Sequence, residues 1–106
     1  MKIKEVNVEH ILFDNGMNIT FDHDQDCCEY NFADFEQVDD IAKSMGFDEN
    51  VIFEAVEGSG FRFGNLNGRM FFVPCYSDQN GYYSSDIEIY FNGKKVLNFD
   101  CEMKED

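Results

Sequence analysis

The chain has 106 residues, 22 of them acidic and 8 basic, which gives a formal net charge of −14 at pH 7; twelve Phe and five Tyr supply its aromatic content. That length fits one domain able to bury about two thirds of the surface its unfolded form exposes, so residues 1–106 read as a single domain whose core needs no covalent staples. The acidity argues against direct binding to a nucleic-acid backbone, which requires clustered Lys and Arg. No run approaches the ~20 apolar residues of a membrane span. Met1 to Val8 alternates charged and apolar residues instead of forming a signal peptide, so the expected location is the cytoplasm.

Four Asn-Gly dipeptides, Asn15-Gly16, Asn67-Gly68, Asn80-Gly81 and Asn92-Gly93, punctuate the chain between apolar or alternating stretches. A two-residue type I′ turn needs positive φ at both central positions, which Asn and then Gly tolerate best, so the pattern predicts a chain of β-hairpins. Ile3 to Phe13 reads as a first strand bent near Glu9. Asp14-Asn15-Gly16 turns it into a second, where Met17, Ile19 and Phe21 share one face. Cys28, Tyr30 and Phe32 alternate as a short third strand.

The period then changes. Phe35, Val38, Ile41, Ala42 and Met45 fall at helical spacing, Asp34 with Gln37 makes a capping-box pattern, Lys43 sits in the last turn and Gly46 is placed as C′. The spacing predicts an α-helix from Asp34 to Met45. Val51 to Val56 reads as a strand, with a short helical turn capped by Asp48 as the alternative, Gly58-Ser59-Gly60 reads as a loop, and Phe61 and Phe63 lead through Asn67-Gly68 into Arg69 to Tyr76. Pro74 lacks an amide proton and so marks an edge or a bulge. Ile87, Ile89 and Phe91 face Leu97, Phe99 and Cys101 across Asn92-Gly93, and Glu102 to Asp106 reads as a frayed tail. The expected fold class is α+β: a bent, mostly antiparallel sheet of roughly six to eight strands, partly closed like a barrel or roll, with one α-helix packed on it.

Chemistry concentrates in Asp22-His23-Asp24-Gln25-Asp26-Cys27-Cys28-Glu29. Asp22, Asp24 and Asp26 match the first ligand positions of a calcium loop, but Cys27 stands where Gly is required and Ala33 where a bidentate Glu is required. His23 with Cys27 and Cys28 offers soft ligands for zinc, with Asp26 or Cys75 as a fourth. Cys27 or Cys28 as a nucleophile, with His23 or His10 as base, is a third reading, although the surrounding carboxylates oppose thiolate formation. The plain alternative is a loop closing a strand pair, its Asp and His side chains bonded to backbone amides. Cys75 and Cys101 lie in alternating apolar runs and read as buried free thiols. Tyr82 and Tyr83, directly after Asn80-Gly81, are either cross-strand packing or a rim for a ligand or partner.

Two of these motifs together, His23-Asp24-Gln25-Asp26-Cys27-Cys28-Glu29 and Asn80-Gly81-Tyr82-Tyr83-Ser84, resemble a family of small phage and bacterial domains of unknown function marked by His-x-Gln-Asp-Cys-Cys-Glu and a C-terminal Asn-Gly-Tyr-Tyr-Ser strand. Where that family carries Ser and an aliphatic residue after Cys-Cys-Glu, this chain has Tyr30 and Asn31. The resemblance implies no established activity, cofactor or catalytic residue, but it singles out His23, Asp26, Cys27, Cys28 and Glu29 as a unit. The expected function is a small acidic, non-enzymatic binding domain that meets a basic protein partner, without cofactor, membrane or nucleic acid. The alternative is a metal- or thiol-dependent enzyme centred on the His23 to Glu29 segment. Oligomeric state stays open, because edge strands such as Ile3 to Phe13 are free to pair between chains.

Overall fold

The computed structural model describes residues 1–22, 30–78 and 86–104. They form, in chain order, strands β1 (Ile3–Val6), β2 (His10–Phe13), β3 (Asn18–Asp22), β4 (Tyr30–Ala33), β5 (Ile52–Val56), β6 (Gly60–Gly64), β7 (Met70–Asp78), β8 (Asp86–Phe91), β9 (Lys94–Asp100) and β10 (Glu102–Lys104). Two 3-10 turns, Phe35–Gln37 and Asp40–Ser44, lie between β4 and β5. The first sheet has the order β1-β2-β3-β8-β9; the second runs β10-β7-β6-β5, with β4 also on β7. All pairings are antiparallel except β10 with β7. The chain therefore changes sheet between β3 and β4, between β7 and β8, and at Cys101 between β9 and β10.

Strand alternation builds the core. Ile11, Phe13, Ile19, Ile87, Ile89 and Phe99 of the first sheet, and Phe61, Phe63, Phe71, Val73 and Cys75 of the second, are buried. Aromatic pairs bridge the sheets: Phe53 meets Phe91 at 5.3 Å between centroids, and Phe61 meets Phe99 at 6.4 Å, both tilted in the way ring quadrupoles favour. The sheets also meet at their edges. There Gly58 N–H donates to the Asp100 carbonyl (3.0 Å), but no closed barrel results.

The expected α+β class is thus corrected to a mostly antiparallel β fold, and the cover expected from a helix comes from the second sheet. No helix of seven or more residues forms among the described residues. The Asp34–Met45 segment breaks at Val38 (φ −61°, ψ 140°) and Asp39 (φ −55°, ψ 134°), both extended. Asp39 then restarts the chain by accepting the Ile41 N–H with its side chain (3.0 Å). The capping-box residues bond to each other, Gln37 Nε2 donating to Asp34 Oδ2 at 2.6 Å, and not to the backbone. Asp, Phe, Val, Ile and Ser are all weak helix formers, so once Asp39 offers a local cap little propensity holds the α form together. Ile41, expected on the buried stripe, is 45% exposed.

Three smaller expectations also change. Ile3 to Phe13 is two strands folded on each other, because Asn7 Oδ1 accepts the N–H groups of Glu9 (2.8 Å) and His10 (3.0 Å) and so builds a turn without glycine. The Asn-Gly turns differ in kind. Asn92 (φ 51°) and Gly93 (φ 82°) are both left-handed as type I′ requires, whereas only Gly16 (φ 90°) is left-handed at the first dipeptide and only Asn67 (φ 60°) at the second. Asn80-Gly81 lies outside the described residues. Finally, Glu102–Lys104 is a strand on β7, not a frayed tail.

Two positions on β6 admit only glycine. A Cβ at Gly60 would stand 2.1 Å from the Val73 carbonyl oxygen, and one at Gly64 would stand 2.3 Å from that of Arg69. Gly60 faces Pro74, and the ladder bond beside this pair runs from Cys75 N–H to the Ser59 carbonyl (2.9 Å), so the missing proline proton costs that ladder nothing.

Candidate functional site

His23, Asp26, Cys27, Cys28, Glu29, Tyr82 and Tyr83, the residues singled out from the sequence, lie outside the described residues. Asp22 closes β3 and pairs with Glu88; Tyr30 opens β4 and pairs with Asp78, the last residue of β7; Asp86 opens β8. Asn31 Nδ2 donates to the Asp86 carbonyl (2.8 Å), while Asn31 Oδ1 accepts from Ser77 Oγ (2.5 Å). Both side chains are buried, and buried polar groups bonded in this way fix register. The chain therefore leaves the described fold for both motifs at one end of the molecule, where β3, β4, β7 and β8 come together over the Asn31–Ser77 pair.

The other residues considered for chemistry are placed elsewhere. Cys75, considered as a fourth zinc ligand, is enclosed in the core, its thiol pushed up by burial and then by Cys101 and Asp34. Cys101 is also buried and free, its thiol pushed up to about 12 by burial and by Asp100 and Asp86. Such thiols are held neutral and out of reach, which suits packing and not nucleophilic attack. His10 Nε2 lies 2.7 Å from Glu5 Oε2 and 3.4 Å from Asn7 Nδ2 on the outer side of the first sheet. Among the described residues no three His, Cys, Asp or Glu side chains converge as a metal site would require.

A different surface emerges on the outer side of the second sheet. The outward positions form rows: Ile52, Gly64 and Met70; Glu54, Arg62 and Phe72; Val56, Gly60 and Pro74; Phe32, Tyr76 and Glu102. Phe72 is 41% exposed and Ile52 37% exposed, and Met70, Phe32 and Tyr76 are half-buried beside them. Arg62 pairs with Glu54 in the middle of this strip, and the Phe32 and Tyr76 rings lie 5.7 Å apart at its far end. Beyond Phe32 the strip runs into an open groove of about 320 Å³ lined by Val8, Phe32, Ala33, Asp34 and Glu36. The sequence carried one signal for the strip: in Phe71-Phe72-Val73 successive side chains of a strand point to opposite faces, so a three-residue apolar run must put one of them outside. Nothing in it brings Val8 to Phe32.

No family model, no curated protein and no solved structure matches this chain. No helix among the described residues is long and apolar enough to cross a membrane.

Proposed function

We propose that this chain is a small, acidic, non-enzymatic binding domain of the cytoplasm that holds a basic protein against the outer side of its second sheet, in the phage or bacterial setting its two motifs suggest. The observation that carries this reading is the pair of large apolar side chains, Ile52 at 37% and Phe72 at 41%, that stand exposed on the outer side of the second sheet. Strand β7 is apolar on both faces, and at Phe72 the described residues pack only its inner neighbours Phe71 and Val73. Aromatic side chains around an arginine are the composition that concentrates binding energy at protein interfaces. The net charge of −14 selects the sign of the other surface, because like-charged proteins repel and oppositely charged ones are steered together.

The test is retention of basic proteins by the immobilised domain at low ionic strength, beside an equally acidic control protein and the double variant Ile52→Thr, Phe72→Thr. Threonine keeps the strand preference while removing most of the apolar area. The expected result is a salt-sensitive basic protein retained by the native domain and released by the double variant. Retention no better than the acidic control rejects the reading.

A further inference from the structure

We infer that the groove between the β1–β2 turn and the end of β4 seats a short basic segment of the partner protein, with an apolar side chain against Val8 and Phe32 and a Lys or Arg beside it facing Asp34 and Glu36. This rests on the reading of the domain as a binder of basic protein, and it names the part of the surface that selects the sequence bound.

Both walls are fixed before any ligand arrives. Val8 is 67% exposed at the tip of a turn whose backbone is tied by Asn7, through the bonds to Glu9 and His10. The opposite wall is Phe32, whose ring packs on Tyr76, and the Tyr76 hydroxyl lies 3.5 Å from Gln37 Nε2. A rigid aromatic wall facing an exposed aliphatic residue offers an anchor at low cost in ordering. The rim is anionic and uncompensated. Asp34 accepts only from the neutral Gln37 amide (2.6 Å), and the ion pairs among the described residues engage Glu5, Asp40, Glu54 and Asp39, leaving Asp34, Glu36 and the neighbouring Glu9 without a cation. A Lys or Arg placed there lays its aliphatic stem along the apolar wall and its charge on the rim, a fit that a neutral or acidic segment lacks.

The probe is the blocked pentapeptide Lys-Leu-Arg-Leu-Lys, titrated at low ionic strength into the ¹⁵N-labelled full chain, with Lys-Ala-Arg-Ala-Lys and Glu-Leu-Glu-Leu-Glu as controls. The expected result is that the first peptide alone shifts the amides of Val8 and of Phe32 to Glu36, and that Asp34→Asn with Glu36→Gln weakens binding about tenfold while the spectrum stays dispersed. Three results overturn the groove. Equal binding of the alanine peptide shows charge attraction without an anchor. Shifts confined to Phe72 and Ile52 move the selective site to the middle of the strip and leave the broader reading standing. Val8 and Phe32 shifts that follow protein concentration without peptide make a second copy the occupant. If no basic peptide binds and no basic protein is retained, both readings fall together.

Discussion

The outer faces of the two sheets have opposite characters. On the first sheet two outward rows are polar: His10, Thr20, Tyr90 and Lys95 lie across one, Asp22, Glu88 and Asn98 across the next. The Tyr90 hydroxyl donates to Glu88, and Asn98 Nδ2 donates to Asp86 Oδ1 (2.9 Å) and to the Ile87 carbonyl (3.1 Å). On the second sheet the corresponding positions hold Ile52, Met70, Phe72, Tyr76 and Phe32 around the Glu54–Arg62 ion pair, with two glycines on β6. Both sheets bury apolar side chains inside, so the stability of the fold does not explain the difference outside. Exposed large apolar side chains such as Phe72 and Ile52 are the kind of surface that interaction sites use, and the first sheet has none of comparable size across these two rows.

The comparison breaks most visibly at the inner side of β6. Phe61 is fully buried against Phe53, Phe63 and Phe99, so Phe61→Ala should cost about 3–5 kcal/mol, the usual range for emptying a well-packed aromatic site. Urea unfolding followed by circular dichroism measures it. A loss below about 1 kcal/mol would mean that the second sheet is not packed on the first, and the distinction between its two faces would lose its basis.

What the sequence made legible follows the same division. The β8–β9 hairpin is there with Ile87 against Phe99 and Ile89 against Leu97, because alternation and a type I′ turn agree locally, although a bulge at Val96 shifts the register before Phe91. The Asp34–Met45 segment misled because an i, i+3 spacing serves a 3-10 turn as well as an α-helix, and what decided between them was the local cap at Asp39. The β1–β2 fold-back escaped because its turn depends on one Asn side chain and no glycine. Strand β10 escaped because three residues carry no period and its parallel pairing is set by distant β7. Of the site, the motif residues were conspicuous but lie outside the described residues. The groove was invisible because Val8 and Phe32 meet only through tertiary structure.

The buried thiols sharpen the inner half of the comparison by an intermediate amount. Burial holds Cys75 and Cys101 protonated in the folded chain, whereas an unfolded thiol ionises near 9.0. Below that pH both states keep the proton and the contribution to stability is whole. Above it the unfolded chain binds fewer protons than the native one, so stability falls as pH climbs towards the folded value near 12 for Cys101, by about 1.4 kcal/mol per pH unit for a thiol that stays neutral. The urea midpoint should therefore drop between about pH 8 and about pH 10.5, and the double variant Cys75→Ala, Cys101→Ala should show a shallower drop. An aromatic disulfide reagent should label these two thiols only on unfolding; rapid labelling of either at neutral pH in the native state would contradict their placement.

The smallest expected effect on stability is also the most discriminating one. Phe72 sits opposite Arg62 on the outer side of β7, in the same strand as the buried Phe71 and Val73. Replacing it with threonine puts another good strand former at an exposed position and leaves no buried cavity, so Phe72→Thr should change the unfolding free energy by no more than about 0.5 kcal/mol. The same change removes the largest exposed aromatic surface from the strip and should weaken retention of a basic protein severalfold, in addition to the loss that raised salt causes, because it is apolar in origin. A stability loss approaching that of Phe61→Ala would make Phe72 a structural residue and the two faces of the second sheet alike. Unchanged stability with unchanged retention would leave the strip without an occupant. Unchanged stability with weakened retention is the outcome expected of a face that folding does not use and binding does.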